Sequence, residues 1–278
     1  MGIQVASVAK RIIMQMLAEA QKSQGKTGEV GTPDGQIQMS INLEEMLAAR
    51  AEAGKAESQA AFGVDKAQYF TYIRTDSGDQ IVILAHEQAR NAIKELFPQV
   101  KVGLTLSLPD LQAQDDGESS AAQVWEEEFG HYLPHIKDDD FLGVQNYTRS
   151  LIGPNGQLPN PEGAELTQMD YEFYPEALGN VLRKVSKEFH GDIIVTENGI
   201  MTADDTCRIE FIRRAIEGVQ ICIADELLVK GYMYWSLLDN FEWQKGYGMT
   251  FGLIGVDRTT QIRYPKESLT YLGSFPEK

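Results

Sequence analysis

The stretch D-I-I-V-T-E-N-G-I, Asp192 to Ile200, decides how this sequence is read. Ile193, Ile194 and Val195 are consecutive, apolar and β-branched, the composition of a strand buried on both faces. The run then meets Thr196, the carboxylate of Glu197, and Asn198-Gly199, a turn signal. A carboxylate at the mouth of a core is costly unless it is paired or has chemistry to do. Two readings stay open at this point. Glu197 caps the next helix or pairs with an arginine, or it acts on a ligand.

The same pattern recurs outward from this strand. V-K-V-G-L-T-L-S-L (100–108), D-F-L-G-V-Q-N-Y-T (140–148) and V-K-G-Y-M-Y-W-S-L (229–237) read as further strands, each apolar on both faces. Helical spacing lies between them, at Val82, Ala85, Ala89, Ile93 and Leu96, through Trp125, Phe129 and Tyr132, over 175–189, and over 204–225. Strands alternating with helices at intervals of roughly 40 to 50 residues are βα units of a parallel sheet, so the fold class is α/β. Three strands end on polar or aromatic pairs: Asn146 and Tyr147, Glu197 and Asn198, Trp235 and Ser236. In a (β/α)8 barrel that end carries the chemistry. The segment Y-W-S-L-L-D-N-F-E-W (234–243) adds two tryptophans and two carboxylates. Aromatic faces stack on the C–H faces of sugar rings and carboxylates accept from their hydroxyls, so the group points to a carbohydrate.

Composition narrows the classes. The 278 residues carry a formal net charge of −16, which repels nucleic acid and anionic membranes. No apolar run reaches the ~18 residues of a membrane span. The N-terminal residues show no signal-peptide pattern, and Ala6 stands where a myristoylation signal has Ser or Thr. Cys207 and Cys222 lack metal or redox spacing and read as buried free thiols. The expectation is a cytoplasmic protein.

Before residue 80 the pattern is weaker. Val5 to Met16 recur at helical spacing, 23–40 read as a long loop, and Asn42 with Glu45 resembles a capping box. The Ala-rich stretch 51–65 is weakly patterned and is expected to be mobile. The division expected is 1–80, helical and loop-rich, and 81–278, the α/β part. His131 and His135 stand four apart on an expected helix, but no third metal ligand is in view. Asp138-Asp139-Asp140 reads as a solvated turn, and no nucleotide-binding glycine pattern occurs.

From about Ile81 to Phe275 the chain resembles the C-terminal half of glycoside hydrolase family 1, the β-glucosidase family. The resemblance rests on ILAH, DFLGVQNYTR, YEFYPEAL, IIVTENG, DDTCRIEFI, GYMYWSLLDNFEW and FGLIGVDRTTQIRYPKES. It implies strands five to eight of a (β/α)8 barrel, with 1–80 as the connection after strand four. It implies a retaining mechanism with two carboxylates about 5–5.5 Å apart and no metal or cofactor. Glu197 matches the nucleophile, and Tyr147 the tyrosine that orients it. Trp235 matches the platform under the glycone, Glu242 the acceptor of the 4- and 6-hydroxyls, and Trp243 an indole donor. Phe251 walls the pocket, with Asn146 beside it. Phospho-sugar members lack the acid that matches Glu242, so the resemblance implies an unphosphorylated β-glucoside.

Two departures stand out. The acid/base string Thr-Phe-Asn-Glu-Pro does not occur, so the chain is expected to start beyond that position and to be impaired alone. Gln145-Asn146-Tyr147 replaces the family's Asn-Tyr-Tyr. Four strands cannot close an eight-stranded barrel, so self-association or a partner fragment is expected. The alternative function is a non-catalytic sugar-binding or structural remnant.

Overall fold

The structure is a computed structural model that describes residues 43–65, 76–243 and 245–275. The helix expected over Val5–Met16, the loop 23–40 and the Asn42 cap lie outside them. The chain divides into two compact units, Met1–Gly78 and Asp79–Lys278.

The first unit contains helix α1 (Leu43–Phe62). The stretch expected to be mobile is therefore helical as far as Phe62. Its alanines and glutamates are strong helix formers even without an apolar stripe. The helix stops at Gly63, whose φ of 70° takes the left-handed backbone that ends helices.

The second unit is built on a parallel sheet. Strands β1 (Thr105–Ser107), β3 (Phe141–Asn146), β6 (Asp192–Asn198) and β7 (Val229–Tyr234) lie in the order β1-β3-β6-β7. Helices α3 (Glu118–Glu128), α5 (Ala177–Val185) and α6 (Asp205–Ala224) accompany them, and α2 spans Asp76–Leu96. A smaller sheet pairs β2 (Asp110–Ala113) with β4 (Arg149–Gly153), and β4 with β5 (Gly156–Gln157). Near the C-terminus β8 (Ile254–Val256) and β9 (Arg263–Pro265) pair antiparallel, ahead of helix α7 (Glu267–Gly273). Among the described residues no helix is long and apolar enough to cross a membrane.

One face of the parallel sheet carries the core. Leu142, Val144, Ile193 and Val195 pack in one buried cluster with Val181, Leu182 and Val185 of α5 and Phe211, Ala215 and Val219 of α6. Each of these side chains except Ala215 contributes about 1.5–3 kcal/mol when fully buried. The other face is mixed. It holds Thr105, Gly143, Gln145 and Thr196 beside the apolar Phe141, Ile194 and Met233, and Met233 is 56% exposed.

Strand β1 is also shorter than the apolar run 100–108 suggests, because aspartates replace part of its ladder. The Val102 amide donates to Asp140 Oδ2 at 2.7 Å and the Leu104 amide to Asp139 Oδ2 at 3.0 Å. Within the expected solvated turn Asp138 is exposed, but Asp139 is a buried hub. The Asp139 side chain has no exposure, and it pairs with His86 at 2.8 Å and Arg90 at 2.9 Å, both on α2. Asp140 pairs with Lys94, and its carboxyl is held below the usual range by that contact and the Val102 amide.

The histidines are likewise structural. His131 lies in a single turn of 3-10 helix and His135 in the short helix α4 (Leu133–Ile136). His131 pairs with Asp79 at 2.8 Å and His135 with Glu87 at 2.7 Å. Among the described residues no three His, Cys, Asp or Glu side chains form a group that could hold a metal. Cys222 is buried as expected, whereas Cys207 is partly exposed.

Candidate active site

Strand β6 runs over Asp192–Asn198 and delivers Glu197 next to its last residue. Successive side chains on a strand point to opposite faces. Strict alternation would aim Glu197 at the helix-packed side, with Ile193 and Val195. A bulge prevents this. The pairing of β3 with β6 steps from Val144–Val195 directly to Gln145–Glu197, leaving Thr196 as an extra residue. Such bulges re-aim side chains. Thr196 and Glu197 therefore both serve the open face. Thr196 Oγ1 lies 2.6 Å from Thr105 Oγ1, and Glu197 meets Gln145 and Tyr147.

Both oxygens of Glu197 are held. Tyr147 donates its hydroxyl to Oε2 at 2.5 Å, and Gln145 donates from Nε2 to Oε1 at 3.1 Å. Burial pushes the Glu197 carboxyl above the usual carboxylate range. The Tyr147 hydrogen bond opposes that rise, and the charge of Glu242 adds to it. Burial, followed by the charge of Glu197, drives the Tyr147 hydroxyl far above its ordinary range. This favours the protonated, donating form of Tyr147. Glu242 is half-buried and also raised by burial, with the Trp243 amide opposing.

The remaining expected residues divide into two groups. Phe251 is buried and meets the Tyr147 ring edge-on, 5.9 Å between centroids. Trp235 closes β7, where its amide donates to Asn198 O at 2.9 Å, and the Trp235–Ser236 peptide is cis. Gly199 makes this approach possible. A Cβ there would stand 2.0 Å from the Trp235 carbonyl oxygen. Tyr147, Glu197, Glu242 and Phe251 thus share one neighbourhood, with Trp235 at the adjacent strand end.

The side chains of Asn146 and Trp243 make other contacts, although the Trp243 amide meets the Glu242 carboxyl. Asn146 is buried, and its Nδ2 donates to the carbonyls of Leu108 at 2.8 Å and Thr148 at 3.1 Å. Its amide nitrogen ties strand ends together. Trp243 is 83% exposed and touches Phe241 edge-on. The residue the sequence reading missed as a contact is Gln145. The signal was available in part, because Gln145 near the end of β3 and Tyr147 just past it stand two apart, the spacing that puts side chains on one face of an extended chain.

Asn198, beside Glu197 in the motif, is also structural. It is fully buried, donates to Asn146 O at 2.7 Å and accepts from the Tyr232 hydroxyl at 2.8 Å. It cross-links β3, β6 and β7 one residue beyond the carboxylate. Arg208, also fully buried, donates to the carbonyls of Thr202 at 2.6 Å and Thr250 at 2.8 Å. That contact pins the loop after β6 to the segment before Phe251.

Known proteins resemble this chain in sequence and in fold. The chain is 34% identical to a 1,4-beta-D-glucan glucohydrolase of Thermotoga neapolitana, over 49% of its own length and 36% of that protein. It is 38% identical to a 6-phospho-beta-galactosidase of Leptotrichia buccalis, over 60% of its length and 34% of that protein. The solved beta-glycosidase BGL167 superposes with a TM-score of 0.75 at 41% identity, over 80% of this chain and 55% of that one. The apo beta-glucosidase 1317 gives 0.74 at 38%, over 85% and 60%. The chain thus spans only about a third of these two relatives and little more than half of the two solved chains. Its parallel sheet is part of a (β/α)8 barrel of the β-glycosidase type. Residues 129–278, more than half of the chain, match the family described as Glycosyl hydrolase family 1, and the chain belongs to that family.

Proposed function

We propose that this chain carries the nucleophile side of a retaining β-glycosidase acting on unphosphorylated β-glucosides. The observation that carries the reading is Glu197, half-buried on the open face with the Tyr147 hydroxyl 2.5 Å from Oε2. A nucleophilic carboxylate must be ionised and fixed in direction, and a short bond from a phenol whose ionisation is disfavoured by burial favours both. In the first step a Glu197 oxygen bonds to the anomeric carbon. The bond from that carbon to the aglycone oxygen breaks, and its electron pair leaves with the aglycone, which takes up a proton. In the second step water displaces the carboxylate and yields the free sugar.

Two features support the substrate class. The relatives include a glucan glucohydrolase and a 6-phospho-beta-galactosidase, so both neutral and phosphorylated sugars are candidates. Glu242 favours the neutral one, because a 6-phosphate would bring its charge against a half-buried carboxylate.

A 2-deoxy-2-fluoro-β-glucoside with a dinitrophenolate leaving group tests the reading. It departs with little help from a general acid, so labelling reports the nucleophile alone. The intact mass should rise by one fluorinated sugar, mapped to Glu197 and blocked by glucose but not by glucose 6-phosphate. A folded protein that takes no label would refute the nucleophile assignment and favour a binding remnant.

A further inference from the structure

Gln145 is nearly buried, with 5% exposure, and its Nε2 lies 3.1 Å from Glu197 Oε1. Its own Oε1 is buried without a hydrogen-bond partner. An orphaned buried carbonyl is a cost, and a side chain such as methionine would fill the same place without it. What the amide supplies and methionine does not is a donor aimed at a carboxylate. The bulge at Thr196 puts Gln145 directly opposite Glu197. Gln145 on β3 and Tyr147 just past its end divide the two carboxylate oxygens between them.

We propose that Gln145 is a positioning residue for Glu197, its amide N–H fixing the plane of the carboxylate and holding it ionised while Tyr147 takes the other oxygen. The terminal torsion of a glutamate is otherwise broad, so a second donor removes the rotation left by the first. The inference rests on the reading of Glu197 as nucleophile. When one oxygen bonds to the anomeric carbon, the other becomes the ester carbonyl. When water displaces the sugar, the electron pair of the broken bond returns to the carboxylate. A donor on that carboxylate stabilises the returning charge.

The test uses the full chain with Gln145→Met, and Gln145→Asn as a second variant whose amide is retracted by one methylene. Glu197 is titrated by carbon-13 NMR of labelled glutamate carboxyls, its signal assigned from Glu197→Gln. The midpoint should rise by about one pH unit in each variant, about tenfold in proton affinity, because a charge-assisted donor is lost. At a pH below both midpoints, where Glu197 is protonated in wild type and variant alike, the melting temperature of Gln145→Met should stay level or increase, since the orphaned carbonyl goes with the amide. A purely structural glutamine predicts the reverse: a lower melting temperature and an unmoved midpoint. An unmoved midpoint overturns the proposal, and so does failure of both variants to fold. The titration needs no turnover. A wild-type chain that refuses the fluorinated label would refute the nucleophile reading and still leave the midpoint to decide the role of Gln145.

Discussion

Replacing Tyr147 by phenylalanine removes one oxygen and leaves the ring, including its edge contact with Phe251. The lost oxygen is the donor 2.5 Å from Glu197 Oε2. Hydrogen bonds to charged groups contribute about 1.5–3 kcal/mol, equivalent to about one to two pH units in the carboxyl's titration. The sign follows from the two opposing influences on Glu197. Burial raises its pKa and the Tyr147 bond lowers it, so removing the bond raises it further. The ionised form is the nucleophile. The rising limb of the labelling rate against pH should therefore move up by about one to two units, with a loss of about 10–100-fold at pH values below the wild-type midpoint. Above both midpoints the two profiles should converge. The assay is the rate of fluoroglucoside labelling, followed by intact mass at several pH values. An unmoved limb, or one displaced to lower pH, would refute the reasoning.

Three further outcomes follow from the same contacts. Glu197→Gln should raise stability at neutral pH. A carboxyl whose folded pKa is raised disfavours the fold once ionised, so the gain should vanish as pH falls below that pKa, which thermal melts across pH would check. Asp139→Ala should cost about 3–5 kcal/mol in urea denaturation, because it strands His86, Arg90 and the Leu104 amide around an emptied buried site. An unchanged midpoint would mean that the hub is dispensable. Gly199→Ala should destabilise by at least about 1–3 kcal/mol, since its Cβ would collide with the Trp235 carbonyl. A variant as stable as wild type would refute that close approach.

The parallel sheet was legible because β-branched runs at βα spacing leave few other folds, and β6 occupies Asp192–Asn198 as its composition suggests. The location of Glu197 at a strand end was legible for the same reason. Other features were hidden by distance along the chain. Asp139 reads as one of three surface aspartates because its partners, His86 and Arg90, lie about fifty residues upstream. Helix α1 was missed over 51–62 because its sequence has strong helix formers but no apolar stripe to announce them. The contact of Gln145 with Glu197 was less legible for a different reason. Gln145 and Asn146 are both amides at a strand end, and only the two-residue spacing to Tyr147 separates the one on the open face from the one that ties backbone.

Thr196 gives the end of strand β6 a property that its side chain does not record. Up to Val195 the strand keeps the count that its covering helices require, and after Thr196 the count starts again for the open face. The two stretches are therefore free to vary separately. Substitutions upstream answer to packing, and those downstream to the direction of one carboxylate. A substitution at Thr196 touches neither count, whereas its deletion would bring the two into step and turn Glu197 toward the helices. What this threonine contributes is chiefly length, and a chain that lost it would keep its core and misplace its acid.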